Sequence, residues 1–251
     1  MSNKKRIVVL IFSLLILGVF IAIGFHTSTP APVISPNVED SEAKPWPSGE
    51  VEKMSVNEKT NSYTITAAYP KTNSDSISMH FFNYIEDQIS QFKEDTSWVN
   101  EIGSASDGAL TLDIDYKSEN SDLVQNYIFS ISSYTGGAHG LQVRKTFSYN
   151  RTGQLLTTSD LFVNGIEGLK TLSSLVQKEL LKREGADANW IADGAGPKED
   201  NYSSFVITNT GVTVLFDQYQ VAPYSDGSID IFIPATAFNK VANPELFPKR
   251  H

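Results

Sequence analysis

The sequence has 251 residues, 40% of them hydrophobic and 11% aromatic, which is enough to bury one substantial core or two small ones. A chain that is disordered throughout is therefore excluded. Twenty Lys and Arg residues against 29 Asp and Glu give a net charge of -9, whereas a nucleic acid held through its phosphates would require the opposite sign. Cysteine is absent, which excludes disulfides, thiol nucleophiles, thiolate zinc sites and the acylated cysteine of a bacterial lipoprotein.

The amino-terminal region has the pattern of a membrane anchor. Residues 7–25 carry no charge and, at about 1.5 Å of rise per residue, are long enough to cross a hydrocarbon core of roughly 30 Å. Residues 1–6 are basic and are expected to stay in the cytoplasm, so that everything after the anchor is exported. A cleavable signal peptide is the alternative. We favour an uncleaved single-pass anchor in the cell membrane, because the apolar run exceeds the usual 7–15 or so residues and residues 24–27 offer no small-residue cleavage site.

The segment after the anchor is expected to be a linker. Residues 26–50 contain five prolines among Ser, Thr and acidic residues, with few apolar side chains to bury. Without the three basic residues of the tip, 17 basic side chains stand against 29 acidic ones, so the exported part carries a charge of -12. This charge favours solubility, and it would also attract a cationic partner.

Two periodicities organise the rest of the chain. Alternation of apolar side chains predicts strands at residues 62–70, 110–116, 127–131, 141–149, 204–216 and 228–233. Apolar residues at three- and four-residue spacing predict amphipathic helices at residues 76–94 and 166–183. The apolar stripe of the second helix consists of Ile166, Leu169, Leu172, Val176 and Leu180.

This order of elements predicts an α+β fold: an antiparallel sheet with two main helices packed on it, behind a single N-terminal transmembrane helix. We expect a small strand-helix subdomain over residues 51–105 and a C-terminal domain over residues 106–251.

The histidines offer no metal site. His26 abuts the anchor, His251 is the last residue, and His80 lies off the apolar stripe of the first helix, where we expect it to face solvent. No two histidines are four residues apart, so the helical zinc motif His-Glu-x-x-His is absent. We therefore predict no metal ligand and no cofactor, and His139 is left as the histidine in an unusual context.

His139 ends the segment Tyr-Thr-Gly-Gly-Ala-His between two predicted strands. Gly136, Gly137 and Gly140 predict a structural turn whose backbone takes conformations that a β-carbon disfavours. The segment is then either a tight connection whose histidine bonds locally, or a site in which His139 acts as a general base or metal ligand.

Two carboxylates lie on a strand that could neighbour this turn. Asp113 and Asp115 alternate with apolar residues, so both project from one face and could form a paired site. Acidic residues at alternate strand positions more often form the solvated face of a sheet. No serine lies in a Gly-x-Ser-x-Gly motif, and we assign no catalytic residue.

Further motifs follow one another along the C-terminal half. They are segments 134–139, 161–162, 197–205, 216–224, 227 and 233–234. Together they resemble one bacterial extracytoplasmic domain of unknown function, which is shared by lysozyme-sensing anti-sigma factors (RsiV type) and the non-catalytic part of peptidoglycan deacetylases (PdaC type). Residues 60–100 resemble the smaller domain that often precedes it.

The resemblance implies a binding or sensing module. The anti-sigma factors bind lysozyme, and in the deacetylases the reaction belongs to a separate domain. This sequence departs from both, because only residues 1–6 precede the anchor and no metal-binding catalytic domain accompanies the shared module. We expect the module alone on a membrane stalk.

The sequence therefore predicts an extracytoplasmic binding module of the cell envelope and not an enzyme. Its expected partners are the membrane, through residues 7–25, and a lysozyme-like cationic protein or peptidoglycan, with no nucleic acid. The candidate binding residues are Tyr134, His139, Tyr219 and Tyr224, whose rings could supply specific contacts or could simply pack in the core and loops. The alternative is a cell-wall hydrolase or deacetylase that uses His139 with nearby carboxylates.

Overall fold

The structure, a computed structural model, describes residues 52–98 and 110–248. The predicted tip at 1–6, anchor at 7–25 and linker at 26–50 lie outside these ranges. Within them, no helix is both long enough and apolar enough to span a membrane.

The described residues form two sheets. The larger has six strands in chain order: β1 (Glu52–Lys59), β2 (Tyr63–Lys71), β3 (Leu110–Asn120), β4 (Val124–Tyr134), β5 (Leu141–Asn150) and β6 (Leu155–Leu156). The smaller has three: β7 (Phe205–Ile207), β8 (Gly211–Phe216) and β9 (Ile229–Pro234). The helices are α1 (Asp75–Asp95), α2 (Gly165–Leu180) and α3 (Ala188–Gly194). The α+β class and the meander of β3, β4 and β5 are confirmed, whereas the last three strands form a separate sheet and do not close the first one.

The sequence predicts an antiparallel sheet, and this is wrong for one pair of strands in the larger sheet. β2 and β3 are parallel, with Tyr63 opposite Leu110 and Ala67 opposite Ile114. The physical reason is that α1 lies between these strands in the chain, and a crossover helix returns the next strand in the same direction. The pattern does not predict β1 either, because Met54 and Val56 are the apolar residues in this edge strand. β1 and β2 belong to the same sheet as β3 to β6, and α1 packs on that sheet. The subdomain division after residue 105 stays a prediction.

The first core lies between α1 and one face of the larger sheet. The predicted stripe is buried, and it consists of Ile77, Phe81, Ile85, Ile89 and Phe92. The ring of Phe81 lies 4.6 Å from that of Tyr127 and 5.4 Å from that of Phe129, centroid to centroid. Burial of a side chain of this size contributes about 1.5–3 kcal/mol.

His80 is half-buried, so the expectation that it faces solvent is wrong. Its ring contacts Phe147 at 4.7 Å, and its Nδ1 hydrogen-bonds to the hydroxyl of Tyr149. The reason is that Phe147 and Tyr149 of β5 lie against this side of α1, so they cover His80 although it lies outside the apolar stripe. Burial, with a smaller contribution from Lys145, lowers the pKa of His80.

The second core lies between α2 and the smaller sheet. Asn164 caps α2 by accepting a hydrogen bond from the backbone N–H of Glu167. The rest of the predicted stripe is buried, but Ile166 is 71% exposed and that part of the prediction is wrong. Ile166 lies at the edge of the stripe in the first turn. The close contact there is made by Gly168, where a β-carbon would lie 1.9 Å from the ring of Phe162.

Asn126 fastens the smaller sheet to the larger sheet on the face opposite α1. Its side-chain NH2 donates to the carbonyls of Glu119 (2.7 Å) and Ile207 (2.9 Å). Its Oδ1 accepts from the Ile207 N–H (3.0 Å) and the Ser148 hydroxyl (2.8 Å). Asn126 is fully buried, and each of these bonds replaces one that water would supply.

Candidate functional site

The connection between β4 and β5 has the backbone that its glycines predict. Gly136 and Gly137 have φ values of +102° and +105°, a region that residues with a β-carbon rarely adopt. Gly140 permits a close approach, since a β-carbon there would lie 3.0 Å from the carbonyl oxygen of Ser133. The hydroxyl of Tyr134 donates to the Gly137 carbonyl at 2.9 Å, which braces the turn.

The connection between β8 and β9 brings two tyrosines to this turn. The ring of Tyr224 stacks on that of His139 with centroids 4.3 Å apart and planes at 28°, and the ring of Tyr219 lies 5.5 Å from that of Tyr224. Aromatic pairs of this geometry contribute about 0.5–1.5 kcal/mol beyond their burial. His139 and Tyr219 remain exposed, Tyr219 by 48%. We refer to His139, Tyr219 and Tyr224 as the aromatic cluster.

Tyr219 holds a strained backbone conformation. Its φ is +67°, and it is the one residue other than glycine with a positive φ in the described part of the chain. Such a conformation costs about 1–2 kcal/mol and persists where its surroundings enforce it. Here the indole N–H of Trp190 donates to the Tyr219 carbonyl (2.9 Å), while the Gln220 side chain donates to the carbonyls of Gly194 and Asn201. The loop is thus fixed by α3 and the segment after it.

A second brace joins this loop to β5. The backbone N–H of Arg144 donates to both carboxylate oxygens of Asp217, at 3.0 and 3.1 Å. Its guanidinium donates to Asp230 (2.6 Å) and to the Phe216 carbonyl (3.0 Å). Burial raises the pKa of Asp217, and the hydrogen bonds from Arg144 offset only part of that rise. Arg144 therefore bonds to both ends of the connection between β8 and β9, which carries Tyr219 and Tyr224. We refer to this connection, residues 217–228, as the tyrosine loop.

Strand register places polar side chains in rows on the sheet face opposite α1. Asp113 lies opposite Ser132, which in turn lies opposite Gln142. The amide of Gln142 donates to the Ser132 hydroxyl at 3.2 Å. This row is the floor of an open cleft of about 380 Å³, and Tyr134 and Tyr224 line it as well. The cleft therefore adjoins the aromatic cluster.

The two predicted carboxylates share one face but differ in their surroundings. Asp115 pairs with the ammonium of Lys53 at 2.9 Å, and the hydrogen bond from Lys53 lowers the pKa of Asp115. Asp113 makes no hydrogen bond or ion pair with any residue in 52–98 or 110–248. It faces the cleft as an exposed carboxylate.

His139 has a local hydrogen bond. Its Nδ1 donates to the carbonyl of Gly140 at 3.0 Å, and no carboxylate in the described part of the chain hydrogen-bonds to it. Among the same residues, no three His, Asp or Glu side chains are grouped so that they could hold a metal ion. The arrangement offers stacking surfaces and hydrogen-bond acceptors, which are the ordinary means of molecular recognition.

The structure brings the four candidate binding residues to one surface, and their role in binding stays a prediction. It adds residues that periodicity does not single out. Trp98, which is partly exposed, lies against the turn, since a β-carbon on Gly136 would come within 3.1 Å of its ring. Exposed Leu141 borders the cleft. Trp190 is a third such residue. The sequence shows a tryptophan in a largely polar segment, but the hydrogen bond from its indole N–H to the Tyr219 carbonyl depends on the fold.

The fold and the site define an α+β domain with an exposed aromatic cluster beside a polar cleft. Residues 159–236 match a protein family described as Protein of unknown function (DUF3298). The chain is 28% identical over 197 residues to the peptidoglycan-N-acetylmuramic acid deacetylase PdaC of Bacillus subtilis, covering 76% of this chain and 41% of that protein. It is 32% identical over 108 residues to Esterase Rv3036c of Mycobacterium tuberculosis, covering 43% of this chain and 47% of that one. The chain thus spans less than half the length of either relative.

A crystal structure supports the same fold. It is that of a DUF3298 family member from Bacteroides fragilis, with a TM-score of 0.56 and 17% identity over 81% of this chain and 98% of that one. Residues 159–236 are therefore similar to the DUF3298 domain, and the predicted resemblance to the domain found in PdaC-type deacetylases is confirmed. The similarity to RsiV-type anti-sigma factors stays a prediction.

Proposed function

We propose that this chain is a binding module of the cell envelope, anchored by residues 7–25, that recognises a cationic protein of the lysozyme class. The proposed binding surface is the aromatic cluster with the adjoining cleft. One observation carries the proposal: His139 stacks on Tyr224 in an exposed position, beside a cleft whose floor presents the carboxylate of Asp113.

The rigidity of this surface supports a role in recognition. Tyrosine rings have few rotatable bonds, so they offer a large contact area at low entropic cost. Tyr219 is held in its strained conformation by Trp190, and the loop that carries it is fastened to Arg144. A surface that is ordered before the partner arrives loses less free energy on binding than a mobile one.

The charge of the chain supports a cationic partner. Outside residues 1–25 the net charge is -12, from 17 basic and 29 acidic residues. A field of this sign accelerates encounter with a basic protein and is screened over roughly 8 Å at physiological ionic strength. The affinity should therefore fall as salt rises. The deacetylase relative, whose name refers to a peptidoglycan component, is consistent with a position near the cell wall.

The proposal is tested by calorimetry with the full-length chain in mild detergent and purified lysozyme, at low and moderate salt. We expect saturable binding that weakens with salt. Tyr224→Ala should weaken it more than about tenfold, the usual effect at a central aromatic contact. Phe82→Ala is the matched control, because Phe82 is also an exposed aromatic residue but lies on α1, across the sheet. Absence of binding to lysozyme overturns the proposal, and binding to isolated cell walls instead would make peptidoglycan the ligand.

A second candidate is a cell-wall hydrolase or deacetylase that uses His139 with carboxylates. Two observations favour it: two relatives are named as a deacetylase and an esterase, and Asp113 faces the cleft that Tyr224 lines next to His139. Release of acetate or soluble fragments from cell walls, abolished by His139→Ala, would establish this candidate. Unchanged release in the variant would exclude His139 as its base.

A further inference from the structure

Among the residues that the structure describes, one carboxylate lines the cleft beside the aromatic cluster, that of Asp113. Asp115 is paired with Lys53, and Asp217 and Asp230 are both paired with Arg144. Asp113, on the same sheet face, makes no hydrogen bond or ion pair with residues 52–98 or 110–248. Lys53 acts on Asp113 through its charge but forms its ion pair with Asp115, so Asp113 is a carboxylate at this cleft that no described residue pairs with.

The surroundings of Asp113 restrict what it can bind. The row across the strands adds the hydroxyl of Ser132 and the amide of Gln142, and the rings of Tyr134 and Tyr224 stand at the same cleft. A single carboxylate with neutral hydroxyl and amide groups supplies too little charge for a divalent metal ion. Acceptors beside aromatic faces suit an organic cation.

We propose that this cleft is a subsite for the guanidinium group of an arginine side chain on the protein partner. Arginine fits better than lysine for three reasons. Its planar fork can donate to a carboxylate and to neighbouring oxygens at once, it stacks on aromatic rings, and it sheds water more readily than an ammonium group. The volume of about 380 Å³ leaves space for the aliphatic stem of such a side chain.

This inference rests on the proposed function, in which the partner is a cationic protein, but it can be tested separately. The probe is the peptide acetyl-Gly-Arg-Gly-amide, compared with its citrulline counterpart, which has nearly the same shape and no charge. Binding to the full-length chain in detergent is measured by thermophoresis, and lysozyme is titrated in parallel. Asp113→Asn removes one charge with almost no change in volume. Asp87→Asn is the matched control, because Asp87 is an exposed acidic residue on α1, across the sheet.

We expect the arginine peptide to bind more tightly than the citrulline peptide. Asp113→Asn should weaken the binding of both the arginine peptide and lysozyme about fivefold, the effect of losing a partly exposed charged hydrogen bond. Asp87→Asn should change neither.

Equal affinity for the two peptides, or equal losses in the two variants, overturns the subsite. Lysozyme binding that is unaffected by Asp113→Asn also overturns the subsite and leaves the proposed function standing. If lysozyme fails to bind while the arginine peptide binds through Asp113, the subsite stands and the proposed partner is wrong.

Discussion

Replacement of Asn126 by Ala should strongly destabilise this fold. Asn126 links the sheet that carries the glycine turn to the smaller sheet, from which the tyrosine loop emerges. It is fully buried and makes four hydrogen bonds, two of them to Ile207 of β7. An alanine side chain would remove all four hydrogen bonds.

The magnitude follows from the groups that lose a partner. The N–H of Ile207 would be buried and unpaired, which costs about 1–3 kcal/mol. The carbonyls of Ile207 and Glu119 would each lose the hydrogen bond that the Asn126 NH2 donates, which is worth about 0.5–1.5 kcal/mol. The hydroxyl of Ser148 can rotate towards another acceptor. The expected loss in the free energy of unfolding is about 3–4 kcal/mol. That is a large fraction of the 5–15 kcal/mol or so that a domain typically has.

The measurement is urea unfolding followed by tryptophan fluorescence, with the free energy extrapolated to water. Asn57→Ala is the control, since Asn57 lies exposed in β1 and its loss should change stability by no more than about 0.5 kcal/mol. A loss below about 1 kcal/mol for Asn126→Ala, or one no larger than in the control, would refute the view that this side chain fastens the two sheets together.

Three further outcomes are expected. Gly137→Val should cost about 1–2 kcal/mol, because φ is +105° and nothing lies within 4 Å of an added β-carbon, so the cost is that of the backbone alone; Ala138→Val in the same turn, measured by the same urea titration, should cost less. Burial lowers the pKa of His80 in the folded state, so the unfolded state takes up more protons as pH falls below about 6.5. Wild type should therefore lose more stability between about pH 7 and 5 than His80→Gln does, and equal losses would contradict the role of burial. Protease added to intact cells, or to spheroplasts where an outer membrane is present, should remove the domain beyond residues 7–25, whereas full protection would reverse the predicted orientation.

Most of the larger sheet and α1 can be predicted from periodicity alone. The stripe from Ile77 to Phe92 and the alternation in β3 to β5 each encode which face is buried, and the structure buries those faces except at the start of β5, where Leu141 is exposed. β1 escapes prediction because an edge strand buries little, and α3 because seven residues are too few to show a periodicity. The parallel pairing of β2 with β3 escapes prediction because it depends on where α1 returns the chain.

The candidate site could be predicted in part. The backbone of the turn is encoded locally, because only glycine takes the φ values of Gly136 and Gly137 without strain, and the sequence shows those glycines directly. The assembly of His139 with Tyr224 could not be derived in this way. The two residues lie in connections that belong to different sheets, and nothing in the local pattern of either reports their contact.

The sequence by itself determined the features that depend on neighbours along the chain: the acidic balance, the absence of cysteine, the helical stripe, the strand alternation and the glycine turn. Only the tertiary structure decided which of two acidic residues forms an ion pair with a described residue. Asp113 and Asp115 are equivalent in local pattern, but strand packing brings Lys53 to Asp115 and sets Asp113 in the cleft. The reason is physical: an ion pair or a ring stack forms between groups a few ångströms apart in space, and the distance between two side chains on different strands is set by the register and by the crossing of the sheets.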